Sequence, residues 1–351
     1  MIVGLLLICL ASISWGTTGA TMTVLAREGG FTPLVVGWSR LAIAAPTLLI
    51  AAVASAWSAP RQPADGRDRL RLITTGWSPR DIGSCIVLGL AMAAYQAFYF
   101  WAVTLTGVAV AALLAICSAP LMIALLAAPF LGERLTPVVL ASLGMAVAGT
   151  ALLVIGPRGL GEIAGHFGLG ALLALGAGLS YAVYAVTAKG FLARAEPLTV
   201  SAATFALAAL FLAPALYGQG GLGDALMTPS PSLGAVPLFS LLLYLGLGPT
   251  AAAYALFTVG LTRVPATMAG IVTLLEPLTA TALGVLVFGE SLGAVGALGA
   301  MLLLAAVALL AMTRDQPGVT GTPLRRSAGT EPGPELPRPR RPPRRQGNSP
   351  R

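Results

Sequence analysis

Charge is what this sequence has least of. Only 10% of its 351 residues are Asp, Glu, Lys or Arg, against about 25% in a soluble domain. Histidine occurs once, at His166, so neither a histidine metal cluster nor a histidine-based acid–base relay can be built. All five aspartates lie outside the long apolar runs. The paired carboxylates, or the nucleophile with its base, that an integral membrane enzyme would need are therefore missing. No phosphate-cradling P-loop pattern occurs, which argues against ATP-driven work. The three cysteines, Cys9, Cys85 and Cys117, each fall inside an apolar run and read as packing residues rather than a disulfide framework. No basic stretch precedes the first apolar run, since the first arginine is Arg27; that run reads as a retained helix, not a signal peptide.

What the chain has instead is apolar length. It is 56% hydrophobic, with a mean hydropathy of +0.85. A core of this size could not hide so much apolar surface from water. In lipid every backbone polar group needs an internal partner, which leaves helices or closed barrels. Strict apolar–polar alternation is absent, and with it the barrel. The sequence predicts an all-α integral membrane protein with ten transmembrane helices, near 4–25, 33–54, 82–103, 108–130, 137–156, 168–188, 198–217, 235–258, 266–288 and 292–312.

Polar segments divide the runs. Residues 57–81 carry Arg61, Arg67, Arg69, Arg71 and Arg80. Residues 218–234 are rich in Gly, Ser and Pro, with Asp224 their one charge. From 313 to 351 the chain is rich in Arg and Pro, cannot build a core and is expected to be a disordered cytoplasmic tail. Nine of the 21 basic residues lie in this tail, so the net charge of +8 is no signal for nucleic acid. With the N-terminus inside, the inner loops hold nine basic residues and the outer loops only Arg27 and Arg158. The positive-inside rule then puts both termini in the cytoplasm; the expected location is the cytoplasmic membrane.

A repeat runs through the helices. Pro120 and Pro277 are 157 positions apart, and so are Glu133 and Glu290. "PLVVGWSRLAIA" from Pro33 matches "PLTVSAATFALA" from Pro197 at an offset of 164. Two five-helix halves, 1–156 and 157–312, follow. Because five is odd, the second half enters the bilayer from the opposite side, giving an inverted repeat of the kind secondary transporters use.

The motifs "SWG" (Ser14–Gly16), Arg40 early in the second helix, "FLGERLTP" (Phe130–Pro137) and "LLEP…FGESL" (Leu274–Leu292) stand in an order that resembles the EamA-type family of the drug/metabolite transporter superfamily. The resemblance covers about residues 1–312. It implies export of small metabolites, such as amino acids or related compounds, through a central cavity between the halves.

Glu276 is the one acidic residue placed well inside a predicted helix. It lies roughly 15 Å deep at 1.5 Å per residue, where a charge costs at least ~2.5–3.5 kcal/mol. It must face the bundle interior or water, as a proton acceptor, a partner for a substrate ammonium, or a protonated structural carboxyl. Pro277 lacks the N–H that would bond the carbonyl of Thr273, and Pro120 does the same to Ile116; both are candidate hinges. Arg40 could snorkel to the outer surface, hold a substrate carboxylate or pair with Glu276. Glu133 and Glu290 are expected to cap the helices that follow them. Tyr95 and Tyr99 share one helix face, Tyr181 and Tyr184 another. With Tyr254, Trp15 and Thr18 they are candidates to line a substrate cavity, each tyrosine offering an apolar ring and one hydrogen-bonding tip. Their alternative role is packing or an interfacial belt. Glycine-rich faces such as Gly293–Met301 allow close helix approach or a homodimer contact.

The reading that results is a secondary transporter working by alternating access, with proton coupling as a hypothesis and no enzymatic role. The alternative is a membrane scaffold or sensor acting through the basic tail. Expected partners are a small-molecule substrate, the lipid bilayer and protons; no cofactor, metal or nucleic acid is expected.

Overall fold

A computed structural model of the chain describes residues 1–58, 77–106, 108–158, 167–216, 229–230, 236–288 and 293–312. The basic tail, His166 and Glu290 lie outside the described residues. Ten helical stretches follow one another: α1a (Ile2–Gly16) and α1b (Thr18–Gly29), α2 (Pro33–Ser58), α3 (Pro79–Thr106), α4 (Val108–Leu131), α5 (Pro137–Arg158), α6 (Phe167–Phe191), α7 (Pro197–Leu212), α8a (Leu238–Leu245) and α8b (Ala253–Leu261), α9a (Ala266–Thr273) and α9b (Leu275–Phe288), and α10 (Gly293–Met312). A π-helical turn, Gly246–Ala252, joins α8a to α8b. A two-residue β-pairing, Ser230 against Val236 and Pro229 against Pro237, precedes α8a.

Among the described residues, nine of the ten stretches are long and apolar enough to cross a bilayer; α5 adds a shorter apolar helix over Pro137–Leu152. The helix ends follow local chemistry. Proline opens α2, α3, α5 and α7, where its missing N–H would have had no helical partner. Ser78 and Asp81 form a capping box: Ser78 N–H and Oγ–H donate to the Asp81 carboxylate at 3.0 and 2.7 Å, and Asp81 N–H donates to Ser78 Oγ at 3.3 Å. That box starts α3 three residues before the expected start at 82 and puts Asp81 in its first turn rather than in a loop. Glu196 caps α7 by accepting from Thr199 N–H at 2.7 Å. Gly30 (φ 64°) follows α1b and Gly132 (φ 68°) follows α4, a backbone region that glycine enters without strain.

Many helix contacts run through small residues, and many large apolar residues face outward. Alanines such as Ala44, Ala127, Ala177, Ala188 and Ala306 are fully buried, while Leu125, Phe130 and Leu286 are exposed. This is the pattern of a bundle whose outer face meets hydrocarbon and whose contacts depend on close approach. Some buried Ser and Thr hydroxyls turn back on their own helices, as in Ser12 to Ile8 C=O and Thr204 to Val200 C=O, both at 2.8 Å, which satisfies them within the helix.

The main interfaces are α5–α10, α3–α6, α4–α6, α2–α7, α3–α7, α1a–α8b and α1a–α9b. At one end of the bundle, side chains tie separate helices together. Glu133, just past α4, accepts the N–H groups of Ala266 and Thr267, the second at 3.0 Å, and so caps α9a. This corrects the expectation that Glu133 caps the helix next in sequence: Thr136 Oγ1 does that, accepting from Val139 N–H at 3.3 Å. The turn at Gly132 returns Glu133 N–H to Ala127 C=O at 3.3 Å. At the same end Lys189 Nζ donates to Leu261 C=O at 2.7 Å, at the end of α8b, and Arg194 Nε pairs with Asp81 Oδ1 at 2.8 Å.

Candidate functional site

Three helices are interrupted at the same level of the bundle. α1 is interrupted at Thr17, whose backbone stays right-handed helical (φ −77°, ψ −16°) while its N–H bonds Ser14 C=O three residues back at 3.2 Å. Its hydroxyl donates to Ser14 C=O at 2.7 Å. α9 breaks at Leu274, whose N–H bonds Ile271 C=O three residues back at 3.2 Å; the missing N–H of Pro277 leaves the Thr273 carbonyl without its helical donor. α8 breaks into the π-helical turn around Pro249. Such interruptions gather at functional sites because they free backbone groups and aim side chains. Pro120 behaves differently from Pro277: α4 runs through it without a break. The interruptions in α1, α8 and α9 therefore have no matching interruption in α6, α3 and α4.

Side chains flanking these breaks enclose a cavity of about 60 Å³. Trp15 and Thr18 reach it from either side of the α1 break, Thr273 and Glu276 from either side of the α9 break, and Tyr254 from just beyond the π-helical turn. Arg40 enters from α2, Tyr95 from α3, Tyr181 from α6, and Ala115, Ile116 and Ala119 from α4. Seven residues singled out from sequence thus meet at one place: Trp15, Thr18, Arg40, Tyr95, Tyr181, Tyr254 and Glu276. Tyr99 and Tyr184 do not reach the lining. Tyr99 stacks behind Tyr95 with ring centroids 6.1 Å apart. Tyr184 is buried behind Tyr181 and Tyr254, at 5.9 and 6.0 Å.

The aromatic residues form one connected wall. Trp15 lies 4.7 Å from Tyr254 and 5.5 Å from Phe257. Tyr254 also meets Phe205 edge-on at 4.7 Å, and Tyr95 meets Tyr181 at 5.7 Å. Gly16 allows α1 to approach α9b closely: a Cβ there would lie 2.7 Å from Glu276 O and 2.5 Å from Thr279 Cβ.

The polar groups at the cavity are short of partners. Trp15 Nε1, Thr18 Oγ1 and Tyr181 OH are buried without a hydrogen bond, and a buried polar group left unpaired costs about 1–3 kcal/mol. Arg40 Nε donates to Thr250 Oγ1 at 2.9 Å. Arg40 and Glu276 line the same cavity but make no ion pair with each other; the ion pair found among the described residues is Arg194–Asp81. A cation, a carboxyl and several free hydrogen-bonding groups therefore share one small aromatic-walled space.

The lining carries a sequence relationship finer than the offsets that first suggested a repeat. Trp15 and Tyr181 are 166 positions apart, each preceded by serine; Tyr95 and Tyr254 are 159 apart, each followed three residues on by phenylalanine. Ile116 and Thr273, and likewise Ala119 and Glu276, are 157 apart. All eight line the cavity. Sequence reading did not assign Ala115, Ile116, Ala119 or Thr273 to a site, nor Thr250 behind Arg40. The signal available for Ile116 and Thr273 was their place four residues before Pro120 and Pro277.

Comparison with known proteins agrees with this architecture. The model of the EamA-like transporter family matches residues 2–155 and again 168–312. An uncharacterized transporter of Bacillus subtilis, YwfM, is 34% identical over 313 residues, 89% of this chain and 95% of its own. An uncharacterized transporter of Archaeoglobus fulgidus is 30% identical over 65% of this chain and 77% of its own. A crystal structure at 23% identity superposes with a TM-score of 0.69 over 88% of this chain and 96% of its own, which shows the shared fold. With the family model matching nearly the whole helical part and apolar helices of spanning length throughout, the chain is an integral membrane protein that belongs to the EamA-like transporter family.

Proposed function

We propose that this protein is a secondary transporter that moves small zwitterionic metabolites, of the amino-acid class, across the cytoplasmic membrane through the cavity between its halves. The observation that carries this reading is the convergence of Glu276 and Arg40, which form no ion pair with each other, on one cavity with the orphaned Trp15 Nε1, Thr18 Oγ1 and Tyr181 OH. A carboxylate can receive a substrate ammonium, and a guanidinium a substrate carboxylate. The free donors and hydroxyls would complete the substrate's hydrogen bonds, and the aromatic wall suits a small apolar side chain.

The cavity is small, and substrate entry requires the helices around it to move. Alternating access supplies that movement. Two repeats are supported by the two family-model matches, and five helices in each would give them opposite orientations. The interfaces add support: exchanging first-half helices for their second-half equivalents turns α3–α6 into α8–α1 and α4–α6 into α9–α1, and leaves α2–α7 and α5–α10 unchanged. The ties made by Glu133 and Lys189 would close one end of the pathway. The loop arginines support that end, and both termini, as cytoplasmic. Export is the direction the family resemblance suggests. Glu276, as a carboxyl within a membrane-spanning helix, is the candidate proton-coupling group.

Counterflow in proteoliposomes with labelled amino acids, nucleobases and cationic dyes tests the reading. Exchange of the zwitterionic compounds supports it. Folded protein that exchanges only nucleobases or cationic dyes refutes the zwitterion reading, and folded protein that exchanges none of them leaves the scaffold alternative.

A further inference from the structure

Three polar residues that break the internal repeat lie at or just behind the cavity's charged side. Arg40 corresponds to Thr204 at the 164 offset, Glu276 to Ala119 at 157, and Thr250 to Ala91 at 159. A repeated scaffold does not require any of the three. Thr250 does not line the cavity; it lies behind Arg40, fully buried within the π-helical turn.

The chemistry of this turn fixes the direction of each hydrogen bond. Pro249 has no N–H, so the carbonyl of Leu245, four residues earlier, loses its α-helical donor. In the π-helical turn that carbonyl instead faces Thr250, five residues on, and Thr250 Oγ1–H donates to it at 2.7 Å. A hydroxyl has a single hydrogen. With that hydrogen committed to Leu245, the oxygen is left as an acceptor, and it receives Arg40 Nε–H at 2.9 Å. Nε is the guanidinium nitrogen nearest the side-chain stem, so holding it fixes the plane of the group. The two terminal nitrogens have no protein partner among the described residues and remain for a ligand on the cavity side.

We infer that Pro249 and Thr250 form a built-in mount for Arg40, and that Thr250 is a positioning residue whose role is to present the Arg40 guanidinium to the anionic group of the substrate. This rests on the transport reading above and deepens it: the substrate must carry a carboxylate or a similar planar anion, and its affinity depends on a residue that does not touch it. The asymmetry of Arg40, Thr250 and Glu276 would also give a bound zwitterion one orientation in an otherwise repeated cavity.

The experiment is counterflow in proteoliposomes with a panel of carbon-14 amino acids, each competed with its decarboxylated amine. Wild type, Thr250→Val, Thr250→Ser and Arg40→Lys are compared, with thermal unfolding in detergent as the check on folding. Wild-type exchange is expected to be inhibited by the amino acid and not by the amine. Thr250→Val, isosteric but without the hydroxyl, is expected to raise the half-saturation concentration about tenfold or more while the maximal rate changes less, as losing a charge-assisted hydrogen bond implies. Thr250→Ser restores the hydroxyl and is expected to return within about twofold of wild type on the same argument. Arg40→Lys keeps the charge but not the fork, and is expected to resemble Thr250→Val. If Thr250→Val matches wild type, if serine fails to rescue, or if the amine competes equally, the inference is wrong while the transport reading stands. Wild-type protein that is folded and exchanges no amino acid overturns both.

Discussion

The Glu133 carboxylate, which follows α4, accepts the backbone N–H of Thr267 at 3.0 Å, 134 positions further along the chain. A single side chain from one half thereby caps a helix of the other. Charge-assisted capping is strong because the first N–H groups of a helix have no intrahelical acceptors and carry the positive end of its dipole. Glu133→Ala is expected to lower stability by roughly 1–2 kcal/mol, with Glu133→Gln losing less because its amide oxygen can still accept. Thermal unfolding of the purified protein in detergent measures both; equal stability of all three proteins would contradict the capping role.

Gly16 is expected to tolerate no larger residue. A Cβ there would meet Thr279 Cβ at 2.5 Å and Glu276 O at 2.7 Å, and a helix backbone cannot give way as a flexible side chain can. Gly16→Ala should cost about 1–3 kcal/mol, the usual range for overpacking, and should displace Trp15 and Glu276 together. A melting curve and a transport assay of the same variant would show whether stability and exchange fall in step.

Trp15 separates packing from hydrogen bonding. Its ring packs on Tyr254 and Phe257, while its Nε1 has no partner. Trp15→Phe keeps most of the aromatic contact and should alter stability by less than about 1.5 kcal/mol. If the N–H serves the substrate, exchange should weaken about fivefold or more, in line with one lost hydrogen bond. Unchanged half-saturation in this variant would remove Trp15 Nε1 from the substrate contacts.

Tyr181 and Tyr184 give an internal control. Both hydroxyls are buried and unpaired, but Tyr181 lines the cavity and Tyr184 does not. Tyr184→Phe removes an orphaned polar group and should leave exchange unchanged, with stability equal or raised by up to about 1 kcal/mol. Tyr181→Phe should weaken substrate exchange. Kinetics that respond to the Tyr184 change and not to the Tyr181 change would place the pathway elsewhere.

Glu276→Gln tests coupling. The substitution keeps the size and the hydrogen-bonding oxygen but removes the ability to alternate between charged and protonated forms. Exchange at equal pH on both sides should persist in weakened form, and stimulation by a proton gradient should disappear. A variant that responds to the gradient as wild type does would exclude Glu276 as the coupling group.

The position of each helix was legible in the sequence. All ten stretches fall where the apolar runs place them, with ends shifted by a few residues. Proline at helix starts, glycine after helix ends and the scarcity of charge are local signals, and the bilayer leaves a chain little choice but to form helices along its apolar runs. Glu276 stood out for the same reason, as the carboxyl that an apolar run would not otherwise tolerate.

The breaks were only half legible. Pro277 and Pro120 look alike in sequence, yet α9 is interrupted and α4 is not. A carbonyl freed by proline can be satisfied by neighbouring helices or by local adjustment of the backbone, and the local sequence does not specify which. Thr17 carries no proline at all, and its break showed no signal.

The sequence alone determined that the chain is a membrane bundle of apolar helices, that it repeats itself, and which charges and tyrosines lie within the helices. Only the tertiary structure decided which of these share a space. It put Arg40 against Thr250 rather than Glu276, moved Tyr99 and Tyr184 behind the wall, and sent the Glu133 cap to a distant helix. The physical reason is one of range: helix formation is settled by hydrogen bonds four residues apart and by local hydropathy. Which face of a helix meets which neighbour is settled by the packing of small residues across contacts more than a hundred positions apart in the chain.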